Sequence, residues 1–127
     1  MLPPEQRVAL LEACDRVAYT PTTITDLPKL LALCDEAAKR GYAYAVSEYY
    51  AGDLNVGAAV LDAAGRPLGA VNISAPSTRW TMARVHKELA PLVIETARLI
   101  STRQPDQAQL EPFTMGSGKY NGNRRSA

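Results

Sequence analysis

The sequence has little with which to build chemistry. Its 127 residues include one histidine, one tryptophan, one phenylalanine and two cysteines, which leaves no second imidazole for a histidine metal centre or a paired base. Cys14 and Cys34 fall in segments of helical pattern without CxxC or metal-ligand spacing, and are expected as reduced, buried thiols. Charge of one sign is missing too. Fourteen Lys and Arg against thirteen Asp and Glu leave a formal net charge of +1, which gives no basic field for holding nucleic-acid phosphates. No segment has the two short helices of a DNA-recognition motif with a basic second helix. No run approaches the roughly 20 apolar residues of a membrane span, and MLPPEQR has no apolar signal core. The expected place is the cytoplasm, with neither membrane nor direct nucleic-acid contact from this chain.

What is present suits one globular unit, with 46% hydrophobic and 21% charged residues in a length typical of a single domain. A short amphipathic helix is expected from Pro3–Pro4 to about Cys14, with Val8, Leu11 and Cys14 on one face. YTPTTIT, residues 19–25, favours extended backbone, as a loop or connecting strand. From Asp26 to Arg40 the helical period returns, with Leu27, Leu30, Leu31, Cys34 and Ala38 sharing a face, Thr25 or Asp26 as cap and Gly41 as stop. YAYAVS, residues 42–47, alternates bulky and small residues as a strand does.

Strands from Leu54 to Leu61 and from Leu68 to Ser74, joined by DAAGRP, make a β-hairpin. Thr81 opens a long helix to about Arg103, with Met82, Val85, Leu89, Leu92, Val93, Leu99 and Ile100 as its apolar face and a kink at Pro91. Residues 104–127 lack apolar periodicity and are expected as a disordered tail. Their GSGKYNGNRR is only superficially like a phosphate loop, because no Ser or Thr follows the lysine and no apolar strand leads in.

The hairpin is the most informative segment. Val56, Val60, Val71 and Ile73 form one apolar face, whereas Asn55, Gly57, Ala59, Ala70, Asn72 and Ser74 are small or polar. A four-residue loop would set Asp62 opposite Pro67, Asn55 opposite Ser74, Gly57 opposite Asn72 and Ala59 opposite Ala70. Such a face has room over Gly57 and amide and hydroxyl groups aimed into it, which suits a small polar ligand, above all a carboxylate. The same alternation also describes the solvent side of an antiparallel sheet.

The order of segments LPPEQRVALL, YTPTTIT, KRGYA, SEYYAGDLNVGAAVLDAAGRPLGAVNIS and LAPLVIETARLIS resembles the effector-binding domain of the IclR family of bacterial transcriptional regulators. The resemblance implies an α+β fold, a GAF-like/profilin-like antiparallel sheet flanked by helices. It also implies a sensor of small carboxylate or aromatic acid effectors that acts on a separate winged helix-turn-helix. By it, residues 1–103 are the C-terminal portion of that domain, a partial domain whose missing part would precede Met1. The family pattern places ligand contacts at Ala45, Asn55, Asn72 and Ser74, beside the Gly57 already singled out. The sequence departs from that pattern. Ala45 stands where part of the family has an acid, Asn55 where Cys or Ser is usual, Leu54 where many members carry Arg, and Ala59 where they carry Pro. YTPTTIT and VNIS are more similar to members that sense aromatic acids such as protocatechuate.

An enzyme would have to recruit His86, Cys34, Asp35 and Glu88, an unconvincing set with His86 inside a helix; no catalytic residue, metal site or cofactor is expected. Glu48 is either a group that polarises a ligand hydroxyl or a solvated carboxylate. An assembly module is the competing class, a homo-oligomer or a partner of full-length regulator subunits, held through a free sheet edge and apolar surface.

Overall fold

The computed structural model describes residues 2–102. Helix α1 runs over Pro4–Ala13 and α2 over Leu27–Arg40; strands β1 (Ala43–Val46), β2 (Asp53–Leu61) and β3 (Pro67–Pro76) follow. The chain then turns through a short α3 (Met82–Arg84) and a π-helical turn (Val85–Leu89) into α4 (Ala90–Thr102). The sheet is antiparallel in the order β1-β2-β3. This is an α+β fold. The tail expected at 104–127 and the helix end expected at Arg103 lie outside the described residues.

The ends of α2 are set by its sequence. Asp26 accepts a hydrogen bond from the Lys29 amide at 3.0 Å, satisfying one of the donors that a helix start leaves free, and Gly41 closes the helix at φ 85°. Leu27, Leu30, Leu31 and Cys34 are half-buried, but Ala37 takes the inward place expected of Ala38, which is exposed. Nothing in α1 is buried. It meets α2 through half-buried Val8 and Leu11 and through the ion pair of Arg7 with Asp35. The cysteines are therefore not the buried thiols expected: Cys14 ends a helix with no buried face and is exposed, and Cys34 is half-buried; both are free.

The core lies on one face of the sheet. Leu54, Val56, Ala58 and Val60 of β2, with Ala75 of β3, pack against Val85, Leu89, Ala90, Val93 and Ala97. The expected continuous helix with a proline kink is replaced by a π turn. The Ala90 amide bonds back to the Val85 carbonyl, five residues away, so the ladder widens just before Pro91, which lacks an amide hydrogen and crowds an ordinary α turn. One added residue rotates the following face by about 100°. Ala90, Val93 and Ala97 consequently face the sheet, whereas Leu92, Leu99 and Ile100, expected inside, are 55%, 39% and 40% exposed.

Candidate functional site

The polar side of the hairpin forms as two rungs across all three strands. Asn55 lies between Ala45 of β1 and Ser74 of β3, and Gly57 lies between Ala43 and Asn72. Residues two apart on a strand share a face, so Ala45, Asn55, Gly57, Asn72 and Ser74 all stand opposite the core. The expected pairs Asn55–Ser74, Gly57–Asn72 and Ala59–Ala70 are those observed. At the loop end the pairing differs, because an irregularity between Val60 and Leu61 sets Leu61, not Asp62, opposite Pro67. Gly57 also sits close against β3: a Cβ there would lie 3.2 Å from the Val71 carbonyl oxygen and 3.4 Å from Asn72 Cβ, a tight fit that the neighbouring strand would have to yield to accommodate.

The face is a surface rather than an enclosed concavity. Ala45, Asn55 and Gly57 are half-buried, and Asn72 and Ser74 are exposed. Two hollows among the described residues lie elsewhere. One of about 240 Å³ runs between β2 and α4 beside Ala97 and Ser101, and another of about 570 Å³ lies between the start of α1 and the hairpin loop. Nor are the polar groups all free to meet a ligand. Asn55 Nδ2 donates to Asp53 Oδ2 at 2.9 Å, and Ser74 Oγ donates to Asn55 Oδ1. Asp53 was hidden in the sequence because it reads as the last residue of the turn Ala51-Gly52-Asp53. It is in fact the first residue of β2, two before Asn55 and on its face.

The strand-end loops are tied together at the Ala45–Asn55 end of this face. Thr20 and Thr22 hydroxyls donate to the Ser47 carbonyl at 2.6 and 2.8 Å, and Thr23 donates to that of Glu48. The Ile24 amide donates to the Glu48 carboxylate at 3.2 Å, so Glu48 holds the 19–25 loop rather than standing solvated. Ser47 adopts φ 53°, a left-handed conformation that its hydroxyl supports by accepting from the Gly52 amide at 2.9 Å. Tyr19, Tyr49 and Tyr50 cluster around this loop, Tyr19 tilted against Tyr49 at 4.7 Å between ring centroids and Tyr50 edge-on to Tyr49 at 4.6 Å, and all three are largely exposed.

The residues recruited for an enzyme are engaged in packing instead. His86 Nδ1 lies 2.9 Å from the Tyr42 hydroxyl and its ring meets Tyr44 edge-on at 4.8 Å, on the core side of β1. Asp35 pairs with Arg7, and Glu88 pairs with Arg84 at 2.9 Å. Among the described residues no three His, Cys, Asp or Glu side chains are placed to hold a metal ion, and no helix is long and apolar enough to cross a membrane.

Comparison with known proteins agrees with this architecture. The family model described as the C-terminal part of the bacterial transcriptional regulator IclR matches residues 1–102. The HTH-type transcriptional repressor AllR of Klebsiella pneumoniae is 40% identical over 101 residues, covering 80% of this chain and 37% of the repressor; this chain thus spans little more than a third of that relative. A putative transcriptional regulator from Rhodococcus sp. RHA1 superposes with a TM-score of 0.73 at 32% identity, covering 80% of this chain and 41% of that structure. The inducer-binding domain of PobR from Acinetobacter, a double mutant in complex with 3-hydroxybenzoic acid, superposes with a TM-score of 0.71 at 25% identity, covering 79% of this chain and 57% of that structure. These relatives are regulators of transcription rather than enzymes, and this chain belongs to the IclR C-terminal family of effector-binding domains.

Proposed function

We propose that the face carrying Ala45, Asn55, Gly57, Asn72 and Ser74 binds a small carboxylate or aromatic acid effector. In this reading residues 1–103 are the sensing portion of a cytoplasmic regulator whose separate winged helix-turn-helix responds to the bound acid. The observation that carries it is the register: two adjacent rungs bring all five residues to one side of the sheet, away from the core. Small residues at Ala45 and Gly57 leave volume above the sheet, and amide and hydroxyl groups offer hydrogen bonds without a buried countercharge. The complex of PobR with 3-hydroxybenzoic acid supports the ligand class by analogy.

Isothermal calorimetry of the chain against small carboxylic and aromatic acids, with Asn72→Ala alongside, tests this. Saturable binding that the substitution abolishes or weakens about tenfold or more, the worth of one or two lost hydrogen bonds, is the expected outcome. A folded chain that binds none of the acids would contradict it and favour a second reading, assembly with another copy of this chain. That reading has its own support. Leu92, Leu99 and Ile100 lie exposed along α4, and β3 is an edge strand of ten residues.

A further inference from the structure

We infer that Asp53 is a specificity-determining residue, selecting effectors that carry a hydroxyl or amino donor as well as an acid group. The donor end lies at Asp53 and the acid end toward Asn72. The inference rests on the effector-binding reading of this face and concerns which acids it takes.

Asp53 is held firmly in place. Its carbonyl accepts from the Ser47 amide at 2.7 Å and its own amide donates to the Tyr50 carbonyl at 3.2 Å, while the residue across the hairpin is Pro76, which brings no polar side chain. Its side chain is half-buried on the polar face. One carboxylate oxygen, Oδ2, receives Asn55 Nδ2; among the described residues Oδ1 receives no hydrogen bond and no cation lies within ion-pair distance. A carboxylate has room for about four hydrogen bonds, so this one keeps acceptor capacity open toward the face.

Two consequences follow for a ligand. A second carboxylate brought beside Asp53 meets like charge in a partly desolvated place, whereas an O–H or N–H there gains a charge-assisted bond, roughly twice as strong as a neutral one. The Asn55–Ser74 pair does little to offset this, since Asn55 spends one N–H on Asp53 and its oxygen on Ser74. The side-chain amide of Asn72, which makes no hydrogen bond among the described residues, sits two rungs from Asp53, four residues or about 13 Å further along the strands. The face therefore has two ends, an acceptor end at Asp53 and a donor end at Asn72.

The test is calorimetry of the full 127-residue chain with matched probes long enough to span the two rungs: benzoic acid against 3-hydroxybenzoic acid, and benzoic acid against 3-aminobenzoic acid. The unsubstituted chain is expected to prefer the donor-bearing member of a pair by about tenfold to a hundredfold. Asp53→Asn keeps the shape and the acceptor for Asn55 but removes the charge. It should shrink that preference, in part by tightening the plain acid, an effect that a merely structural role would not produce. Asn72→Ala should weaken both members of a pair alike. Equal binding of both members, lost in Asn72→Ala, would overturn the role of Asp53 and leave the effector-binding reading standing, as would a preference unchanged in Asp53→Asn. No binding of any probe by the folded chain would overturn both.

Discussion

Asp62 closes the hairpin loop through its side chain and its backbone. Its Oδ1 accepts from the amides of Ala64 and Arg66 at 2.9 and 2.8 Å, its Oδ2 from Arg66 Nε at 2.7 Å, and its amide donates to the Arg66 carbonyl. The Arg66 amide first, and then its guanidinium, hold the Asp62 carboxyl below the usual aspartate range. A carboxyl with a depressed folded value contributes stability that is present above the unfolded value and lost as pH falls through the folded one. The hairpin should therefore loosen below about pH 4, and Asp62→Asn, which removes the ionised acceptor, should flatten that acid limb of the stability profile. Thermal melts of the two proteins between neutral and acid pH check this; parallel profiles would show that Asp62 contributes nothing that depends on its charge. At this scale the sequence was legible where a residue acts locally, as with the Asp26 cap and the Gly41 stop. It was not legible for Asp53, whose role depends on which residue begins β2, or for Cys14, whose exposure depends on α1 packing loosely.

The hairpin register follows from alternation and loop length, and both are local, so the Asn55–Ser74 and Gly57–Asn72 pairs could be counted from the sequence. The α3–α4 segment could not be read in the same way, because an α-helical period carried through Pro91 puts Leu92 inside and Ala97 at the margin. The widened turn at Val85–Leu89 offsets that period by one residue, and a helix with Ala90, Val93 and Ala97 inward comes close to the sheet. This difference makes a direct test. Val93→Ala, at a side chain 1% exposed, should cost about 1–3 kcal/mol, while Leu92→Ala, at one 55% exposed, should stay within about 0.5 kcal/mol. Urea unfolding of both variants measures it, and a larger loss for Leu92→Ala would mean that the segment is a continuous α-helix after all.

Across the whole molecule, stability should be unevenly distributed. Every fully buried hydrophobic residue among those described belongs to β2, β3, the π turn or α4, and α1 and α2 contribute none. The sequence could not reveal this asymmetry, since α2 carries as regular an apolar stripe as any helix and nothing in its own spacing says how closely the stripe is met. Local opening costs least where little apolar surface is withdrawn from water. Helix α1 buries no residue fully and meets α2 only through half-buried Val8 and Leu11 and the Arg7–Asp35 pair, which with one exposed partner is worth about 1 kcal/mol at most; it should open on its own. Native-state hydrogen exchange should then find the amides of Val56 and Val93 among the slowest and those of α1 many-fold faster. A ligand on the polar face would change that pattern in a telling way. It touches β1, β2 and β3 but not α4, so an acid at a hundred times its Kd should slow global opening by about 2.7 kcal/mol, and should slow the local opening of the sheet around Asn55 while leaving α1 as fast as before. Equal protection of α1 and β2 without ligand would show that α1 and α2 form one cooperative unit with the sheet, through contacts stronger than their half-buried side chains suggest.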